Sequence, residues 1–226
     1  MQTNDSFSFA SVENFDEHIN DSVRGYDNMI SDVVGMTQYF LEAGTHMVDI
    51  GCSTGKMLNE IEHVNRSIIK RVKYIGIENE RNMIQNQIAN PSIEYYNGDV
   101  RDYKGFDSPK CTMITSIFTL QFIEKAFRQA LLYRIYSALH AGGAFVFTEK
   151  VYSKDARMQD IMTFMYYTYK QGKFSPEDIL NKEKSLRHML RPNTERELIG
   201  MLKTAGFEKI EPFWQNFSFR GWVAIK

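Results

Sequence analysis

Between residues 45 and 148, short β-rich runs alternate with helical stretches. The runs that predict strands lie at 45–50, 72–78, 93–96, 112–117 and 144–148, the last after the turn 141–143. Parallel strands need crossover helices and are buried on both faces, so their apolar runs are short and continuous. Two later runs, 210–214 and 217–225, predict a closing antiparallel pair. The pattern predicts an α/β fold, a doubly wound Rossmann-like seven-stranded sheet.

Two helical segments flank this alternation. Apolar residues recur at helical spacing from Phe15 to Leu41, with an interruption at 24–26, which predicts two helices within an N-terminal segment, 1–42. The stretch 152–189 is also helical and is too long for a simple connection. We interpret it as a lid inserted over the carboxyl edge of the sheet, within a single domain that spans 1–226.

Composition excludes several classes of protein. The 226 residues include 27 Lys+Arg and 28 Asp+Glu, so the net charge of −1 does not predict a nucleic-acid binder. No apolar run approaches the roughly 20 residues of a membrane span, and the first residues lack the apolar core of a signal peptide. Cys52 and Cys111 form neither a disulfide framework nor a zinc motif. We expect a cytoplasmic protein with no metal, no membrane contact and no DNA partner.

The turn after the first predicted strand, 48–55, carries the first candidate site residues. Gly51 and Gly55 let the backbone pass close to a ligand. The spacing matches neither the dinucleotide fingerprint nor the phosphate loop, which predicts a ligand without a pyrophosphate. A glycine pair can also be a plain structural turn. The candidates here are Asp49, Gly51, Cys52, Ser53 and Gly55.

Acidic residues end the next two strands. Glu78 ends the second, where a carboxylate can accept both ribose hydroxyls of a nucleoside. Asp99 follows the third, where an acceptor can meet an adenine amino group. Each alone is an ordinary turn residue, but the carboxyl ends of parallel strands meet at one edge of the sheet. Together these residues predict a nucleoside site.

The motifs VDIGCSTG, YIGIEN, NGDVRD and HAGGAFVFTEK, with the strand before FTLQF, resemble class I S-adenosylmethionine (SAM)-dependent methyltransferases. A closer resemblance, carried by FDEH, RGY, FTLQF, RQALL, TEK and AGF, is to the carboxy-SAM synthases of tRNA wobble-uridine modification. In that family SAM and prephenate give carboxy-SAM, which a partner enzyme transfers to tRNA. The resemblance implies SAM as cofactor, S-adenosylhomocysteine as the product of methyl transfer, and a homodimer. The cofactor contacts that it implies are Tyr26, Gly51, Cys52, Ser53, Glu78, Asn79, Asp99 and Val100.

Two positions depart from the resembling family. Ile117 stands where that family has an asparagine, next to the cofactor, and Glu183 stands where it has the arginine that holds the added carboxylate. A glutamate reverses the charge that an arginine offers to a carboxylate, unless Lys182, Lys184 or Arg187 compensates. The departure favours a methyltransferase with a small-molecule acceptor, either a 2-keto acid or a cationic metabolite that Glu183 would pair.

The lid supplies the remaining candidates. Its aromatic residues predict packing against the sheet, with one or two tyrosines facing the acceptor. The catalytic candidates are Tyr166, Tyr167, His18 and His188, and the substrate-binding candidates are Glu183, Tyr169 and Arg187. Methyl transfer from a sulfonium depends mainly on orientation, so no catalytic triad is required. Two alternatives stay open, a carboxy-SAM synthase and a non-catalytic SAM-binding protein, and tRNA is not expected as a partner of the favoured methyltransferase.

Overall fold

The computed structural model describes residues 15–226, and within them a twisted sheet forms the centre of the molecule. Its strands are β1 (His46–Ile50), β2 (Lys73–Glu78), β3 (Ile93–Asn97), β4 (Cys111–Ile117), β5 (Leu139–Tyr152), β6 (Asn193–Thr194), β7 (Lys209–Asn216) and β8 (Phe219–Ile225). The main path is β3-β2-β1-β4-β5-β8-β7, and β6 pairs with the end of β5. The first five strands are parallel, and β8 is antiparallel to β5 and β7. The doubly wound fold and its closing pair are confirmed.

The helices lie where the sequence predicts them, with small differences at their ends. They are α1 (Phe15–Ser22), α2 (Tyr26–Phe40), α3 (Lys56–Asn65), α4 (Arg81–Gln85), α5 (Lys125–Ala138), α6 (Ala156–Lys170), α7 (Pro176–Met189) and α8 (Glu195–Ala205). The short helix α4 ends at Gln85. In α8, Thr194 and Glu197 form a capping box, and Gly206 ends the helix in the left-handed conformation. No helix within residues 15–226 has the length and apolar character of a membrane span.

Each face of the sheet buries its own apolar cluster. Val48 belongs to the cluster that includes residues of α5 and α8, whereas Met47 belongs to the one that includes residues of α2 and α3. Successive residues of a strand point to opposite faces, so one short run supplies both clusters. This two-sided burial leaves the carboxyl ends of the parallel strands at one edge, where a ligand can bind.

Two features of the sheet differ from the sequence prediction. The turn at 141–143 does not precede β5 but lies within it, because Leu139 already pairs with Cys111 and the register then shifts before Ala144. Gly142 has a φ of 81°, so the predicted turn is realised as a bulge. The two-residue β6 was not predicted, since so short a strand has no periodicity to detect.

Candidate functional site

A cavity of about 790 Å³ lies at the carboxyl ends of the parallel strands. Its lining comes from the turn after β1, the ends of β2 and β4, helices α1 and α2, and the lid helices α6 and α7. A ligand in this cavity would contact both the sheet edge and the lid.

The turn after β1 requires glycine at two positions. Gly51 has a φ of 73°, and a Cβ there would lie 2.1 Å from the Thr119 Oγ1. Gly55 has a φ of 81°, and a Cβ there would lie 2.2 Å from the Tyr95 hydroxyl. The N–H of Gly51 donates to the carbonyl of Ile77 at 2.8 Å, which ties the turn to β2. A side chain at residue 51 would overlap the Thr119 side chain, which also lines the cavity, so Thr119 or the turn itself would have to move.

Glu78 holds the turn and the start of the next loop together. One carboxylate oxygen accepts the N–H of Ser53 at 2.8 Å, and the other accepts those of Asn79 and Glu80 at 2.9 and 2.8 Å. The side chain is buried yet lines the cavity. A carboxylate offers about four acceptor positions, so one remains for a ligand hydroxyl. Glu78 therefore shapes the site as well as being able to contact the ribose.

Asp99 lies at the end of β3 and is half-exposed. It accepts hydrogen bonds from the Arg101 guanidinium and from the Arg101 N–H, the latter at 2.8 Å. These bonds lower the pKa of Asp99. The residue therefore presents an ionised acceptor at the rim of the cavity, next to the buried Val100.

Nine of the eleven predicted cofactor residues line the cavity: Tyr26, Gly51, Cys52, Ser53, Glu78, Asn79, Asp99, Val100 and Ile117. Asp49 and Gly55 do not. Asp49 is buried and accepts a hydrogen bond from the Thr115 hydroxyl at 2.7 Å, and burial raises its pKa to about 7. Both residues support the turn from behind the lining rather than presenting a group to a ligand.

Of the three tyrosine candidates in the lid, one lines the cavity and two do not. Tyr166 lines the cavity, but its hydroxyl donates to the Ser22 carbonyl at 3.0 Å. Burial raises the pKa of Tyr166, so the phenol stays protonated and does not act as a base. Tyr167 and Tyr169 are absent from the described lining. Tyr166 thus fastens the lid to α1, and contact of Tyr167 or Tyr169 with an acceptor stays a prediction.

The remaining candidates also differ in whether they line the cavity. Glu183 lines the cavity, whereas the exposed Arg187 does not. His18 lies behind the described lining and contacts Lys182 Nζ through its Nε2. Burial and then Lys182 lower the pKa of His18 to about 4, so the imidazole is neutral at physiological pH. The side chain of His188 lies outside the described residues.

Three lysines around Glu183 also line the cavity, and of these the sequence analysis named only Lys182. They are Lys150 at the end of β5, Lys170 at the end of α6 and Lys182 in α7. Lys150 Nζ lies 3.5 Å from a carboxylate oxygen of Glu183. Lys150 follows Glu149 in the TEK motif, which was its local signal, Lys182 was named as a neighbour that could offset Glu183, and Lys170 had no signal.

A buried polar pair supports the loop after β4. Arg128 is 1% exposed and donates to the carbonyls of Ile123, Gln121 and Arg191 at 2.8, 3.1 and 2.8 Å. Glu149 is equally buried. Burial, opposed by Arg128, raises the pKa of Glu149 to about 8. Arg128 joins the cavity-lining loop to the segment that follows the lid.

Comparison with known proteins identifies the family of the chain. Residues 47–143 match the methyltransferase domain family. The carboxy-S-adenosyl-L-methionine synthase of Staphylococcus epidermidis is 32% identical over 223 residues, covering 97% of this chain and 95% of that protein. The chain belongs to the carboxy-SAM synthase family. The Escherichia coli K12 member is likewise 32% identical and covers 98% of this chain and 91% of its own length.

Solved structures agree with this family assignment at the level of the fold. Human N-acetylserotonin methyltransferase, in a complex with SAM, has a TM-score of 0.58 at 15% identity. The match covers 90% of this chain and 54% of the human chain, so this chain spans about half the length of that protein. Membership of the carboxy-SAM synthase family confirms SAM as the predicted cofactor. Gly51 has no side chain and so leaves room for an adenosyl group, and Glu78 and Asp99 offer hydrogen-bond acceptors to it.

Proposed function

We propose that this chain is a SAM-dependent methyltransferase whose acceptor is a small molecule enclosed by the α6–α7 lid. The observation that carries the proposal is the shared cavity. The cofactor residues Gly51, Glu78 and Asp99 line the same space as Tyr166 and Glu183 of the lid. An acceptor held beneath the lid would therefore lie next to the cofactor.

The chain contributes orientation and exclusion of water. Bound SAM supplies a methyl group on a positively charged sulfur. The Gly51 turn and Glu78 would hold the nucleoside end, while Tyr166, through its bond to Ser22, keeps the lid against α1. Holding two reactants in line is the largest contribution that a methyltransferase needs from its residues. Since Tyr166 stays protonated and His18 lies behind the lining, neither is proposed as a base.

Carboxy-SAM synthesis is the second candidate, and it is favoured by the 32% identity to carboxy-SAM synthases over nearly the whole chain. Against it stands the carboxylate of Glu183 in the cavity, where the resemblance leads us to expect an arginine. Glu183 lies beside Lys150, which offsets its charge. The two candidates share the cofactor and the fold, and they differ in what lies under the lid.

Mass spectrometry of the ligand released from purified protein distinguishes the candidates. SAM or S-adenosylhomocysteine, followed by methyl transfer to an added acceptor, supports methyl transfer. Carboxy-SAM in quantity supports the second candidate instead. A protein that neither carries an adenosyl ligand nor binds added SAM contradicts both, and tight SAM binding without any turnover favours a non-catalytic role.

The homodimer and the absence of a tRNA partner remain predictions for the favoured methyltransferase. Size-exclusion chromatography with light scattering measures the mass in solution, where a dimer would be twice the 26.3 kDa of the chain. Electrophoretic mobility of tRNA with and without the protein tests the second prediction. A stable tRNA complex would favour a role in tRNA modification over small-molecule methylation.

A further inference from the structure

The loop between β4 and α5, residues 118–124, forms one wall of the cavity. The lining residues from this loop are Phe118, Thr119, Gln121, Phe122, Ile123 and Glu124. The Thr119 Oγ1 lies 2.1 Å from the position that a Cβ on Gly51 would occupy, so the loop packs directly against the turn after β1. Predicted cofactor residues lie in that turn. A shift of the loop would therefore change the shape of the cofactor site.

The start of the loop has a backbone conformation that its neighbours must maintain. Phe118 has a φ of 55°, in the left-handed region, which a residue with a side chain keeps only where its surroundings fix it. The Phe118 N–H donates to the carbonyl and the hydroxyl of Thr148 in β5, at 2.9 and 3.1 Å. The Gln121 side chain donates to the Phe118 carbonyl at 3.1 Å and accepts the Lys150 N–H at 2.8 Å. Strand β5 thus holds the first half of the loop.

Arg128 of α5 holds the second half of the loop. Its Nε donates to the Ile123 carbonyl at 2.8 Å, and its Nη2 donates to the Gln121 carbonyl at 3.1 Å. The same guanidinium donates to the Arg191 carbonyl at 2.8 Å and to the side-chain oxygen of Asn193. The Arg191 N–H also donates to the Gln121 carbonyl, at 2.9 Å. Arg128 therefore joins the loop to the segment that follows α7.

The segment that follows α7 forms another part of the wall. Leu190 and Arg191 line the cavity, and Asn193 pairs with Val151 of β5. Arg128 is 1% exposed and is not among the described lining residues, so it acts on the cavity through the groups that it binds. A guanidinium is a planar fork with five N–H donors, whereas an ammonium has its three donors on one atom. A lysine at residue 128 would keep the charge without the fork.

We propose that Arg128 is a positioning residue for the cofactor site, because its guanidinium fixes the loop 118–124 relative to the segment 190–193. The loop contains one three-residue 3₁₀ turn, and the segment contains part of one two-residue strand. Regular secondary structure therefore contributes little to their geometry, and the acceptors of Arg128 supply the connection. The inference goes beyond the proposed function, since it concerns the SAM site and its test needs no acceptor.

Arg128→Lys tests the fork separately from the charge. Lysine keeps a positive charge beside Glu149, with which Arg128 interacts electrostatically. We expect S-adenosylhomocysteine to bind about tenfold more weakly in calorimetry, since bonds to several carbonyls are lost. Hydrogen exchange followed by mass spectrometry should show faster exchange in peptides that cover 118–124 and 190–193, and unchanged exchange in β1 and β2. A thermal melt of each variant ensures that only folded proteins are compared.

Gln129→Met is the matched control on the same helix. The Gln129 side chain donates to the Met201 carbonyl at 3.1 Å, so this change also removes a side-chain bond to a backbone carbonyl. That bond joins α5 to α8 and not to the cavity walls. We expect the affinity for S-adenosylhomocysteine, and the exchange of the loop and of the segment after α7, to stay at the wild-type values.

Asn193→Ala is a milder change that tests the same connection from the other side. It leaves the Arg128 bonds to the loop in place and removes one acceptor in the segment after α7. We expect the affinity for S-adenosylhomocysteine to fall about threefold, with faster exchange in 190–193. Because the two residues share a bond, the double variant with Arg128→Lys should bind no more weakly than Arg128→Lys alone.

Wild-type affinity in folded Arg128→Lys would overturn the inference. So would exchange that rises evenly along the whole chain, which is what a purely stabilising role predicts. If Arg128→Lys does not fold, wild-type affinity together with wild-type exchange in Asn193→Ala overturns the inference. Failure of the wild-type protein to bind SAM or S-adenosylhomocysteine would contradict the proposed function instead, and hydrogen exchange would still show whether Arg128 holds the two walls together.

Discussion

Replacing Gly51 by alanine adds only a methyl group, but it should strongly destabilise the turn after β1. Gly51 has a φ of 73°, in the left-handed region, where an L side chain costs about 1–2 kcal/mol. The added Cβ would lie 2.1 and 2.5 Å from Oγ1 and Cγ2 of Thr119. Relieving such an overlap in a packed region costs about 1–3 kcal/mol more. We expect Gly51→Ala to lower the free energy of unfolding by about 2–5 kcal/mol.

Gly44 offers a matched control. Its φ is 82°, but no heavy atom lies within 4 Å of its Cβ position. Gly44→Ala should therefore cost only the conformational part, about 1–2 kcal/mol. Thr119→Ala removes the two nearest atoms of the clash, so the double variant Gly51→Ala/Thr119→Ala should recover about 1 kcal/mol or more relative to additivity.

Urea unfolding followed by circular dichroism measures these differences, and calorimetry with SAM measures their effect on the site. SAM affinity should fall by tenfold or more in Gly51→Ala, about 1.4 kcal/mol, and stay unchanged in Gly44→Ala. Equal destabilisation by the two alanines would refute the steric argument. So would additive effects of the Gly51 and Thr119 changes.

Three further changes test other contacts. Tyr166→Phe removes the hydrogen bond to Ser22 and should cost about 0.5–1.5 kcal/mol of unfolding free energy in urea, with no change in the pH profile of turnover. Glu78→Gln leaves one oxygen where two accept three N–H groups, and calorimetry should show SAM affinity lower by about tenfold or more. Burial raises the pKa of Glu149 from 4.5 to about 8, so the folded protein binds the extra proton in this range. The resulting contribution to the free energy of unfolding is fully present below pH 4.5 and is lost as the pH rises through 8. Urea unfolding measured at a series of pH values should show this loss in wild type and not in Glu149→Gln.

Each of these changes has its own control or contrary outcome. Tyr167→Phe, at a half-buried position of the same helix, should be less destabilising than Tyr166→Phe, and an equal loss would argue against the Ser22 bond. Glu94→Gln breaks only an exposed ion pair with Lys73 and should not affect SAM affinity. For Glu149, parallel pH dependence of wild type and variant would contradict the buried, protonated carboxyl.

The strands and helices were largely predictable because their signals are local. Two-sided burial makes the parallel strands short apolar runs, and residues such as Thr194 and Gly206 mark the ends of α8. The features that were missed depend on distant partners. The two-residue β6 begins at Asn193, whose side chain accepts a hydrogen bond from Arg128, 65 positions earlier. No local pattern of residues encodes such a pairing.

The candidate site divides in the same way. The sequence was enough to predict that Gly51, Glu78 and Asp99 lie close together, because the ends of neighbouring parallel strands must meet at one edge. The hydrogen bond from the Tyr166 hydroxyl to Ser22 could not be predicted, because the two residues lie 144 positions apart in the sequence. The position of Lys170 at the cavity could not be predicted either, because nothing in the sequence distinguishes it from other lysines.

The resemblance implied SAM as the cofactor, whereas alternation of strands and helices, with acidic residues at strand ends, was enough to predict the fold and a nucleoside site. Those properties follow from backbone geometry, which repeats over a few residues. Which charged side chains lie next to one another under the lid depends on how α6 and α7 pack against β5, so only the tertiary structure determines it. There the folded structure places Glu183, which the sequence suggested as the partner of a cationic acceptor, 3.5 Å from Lys150 Nζ of another element.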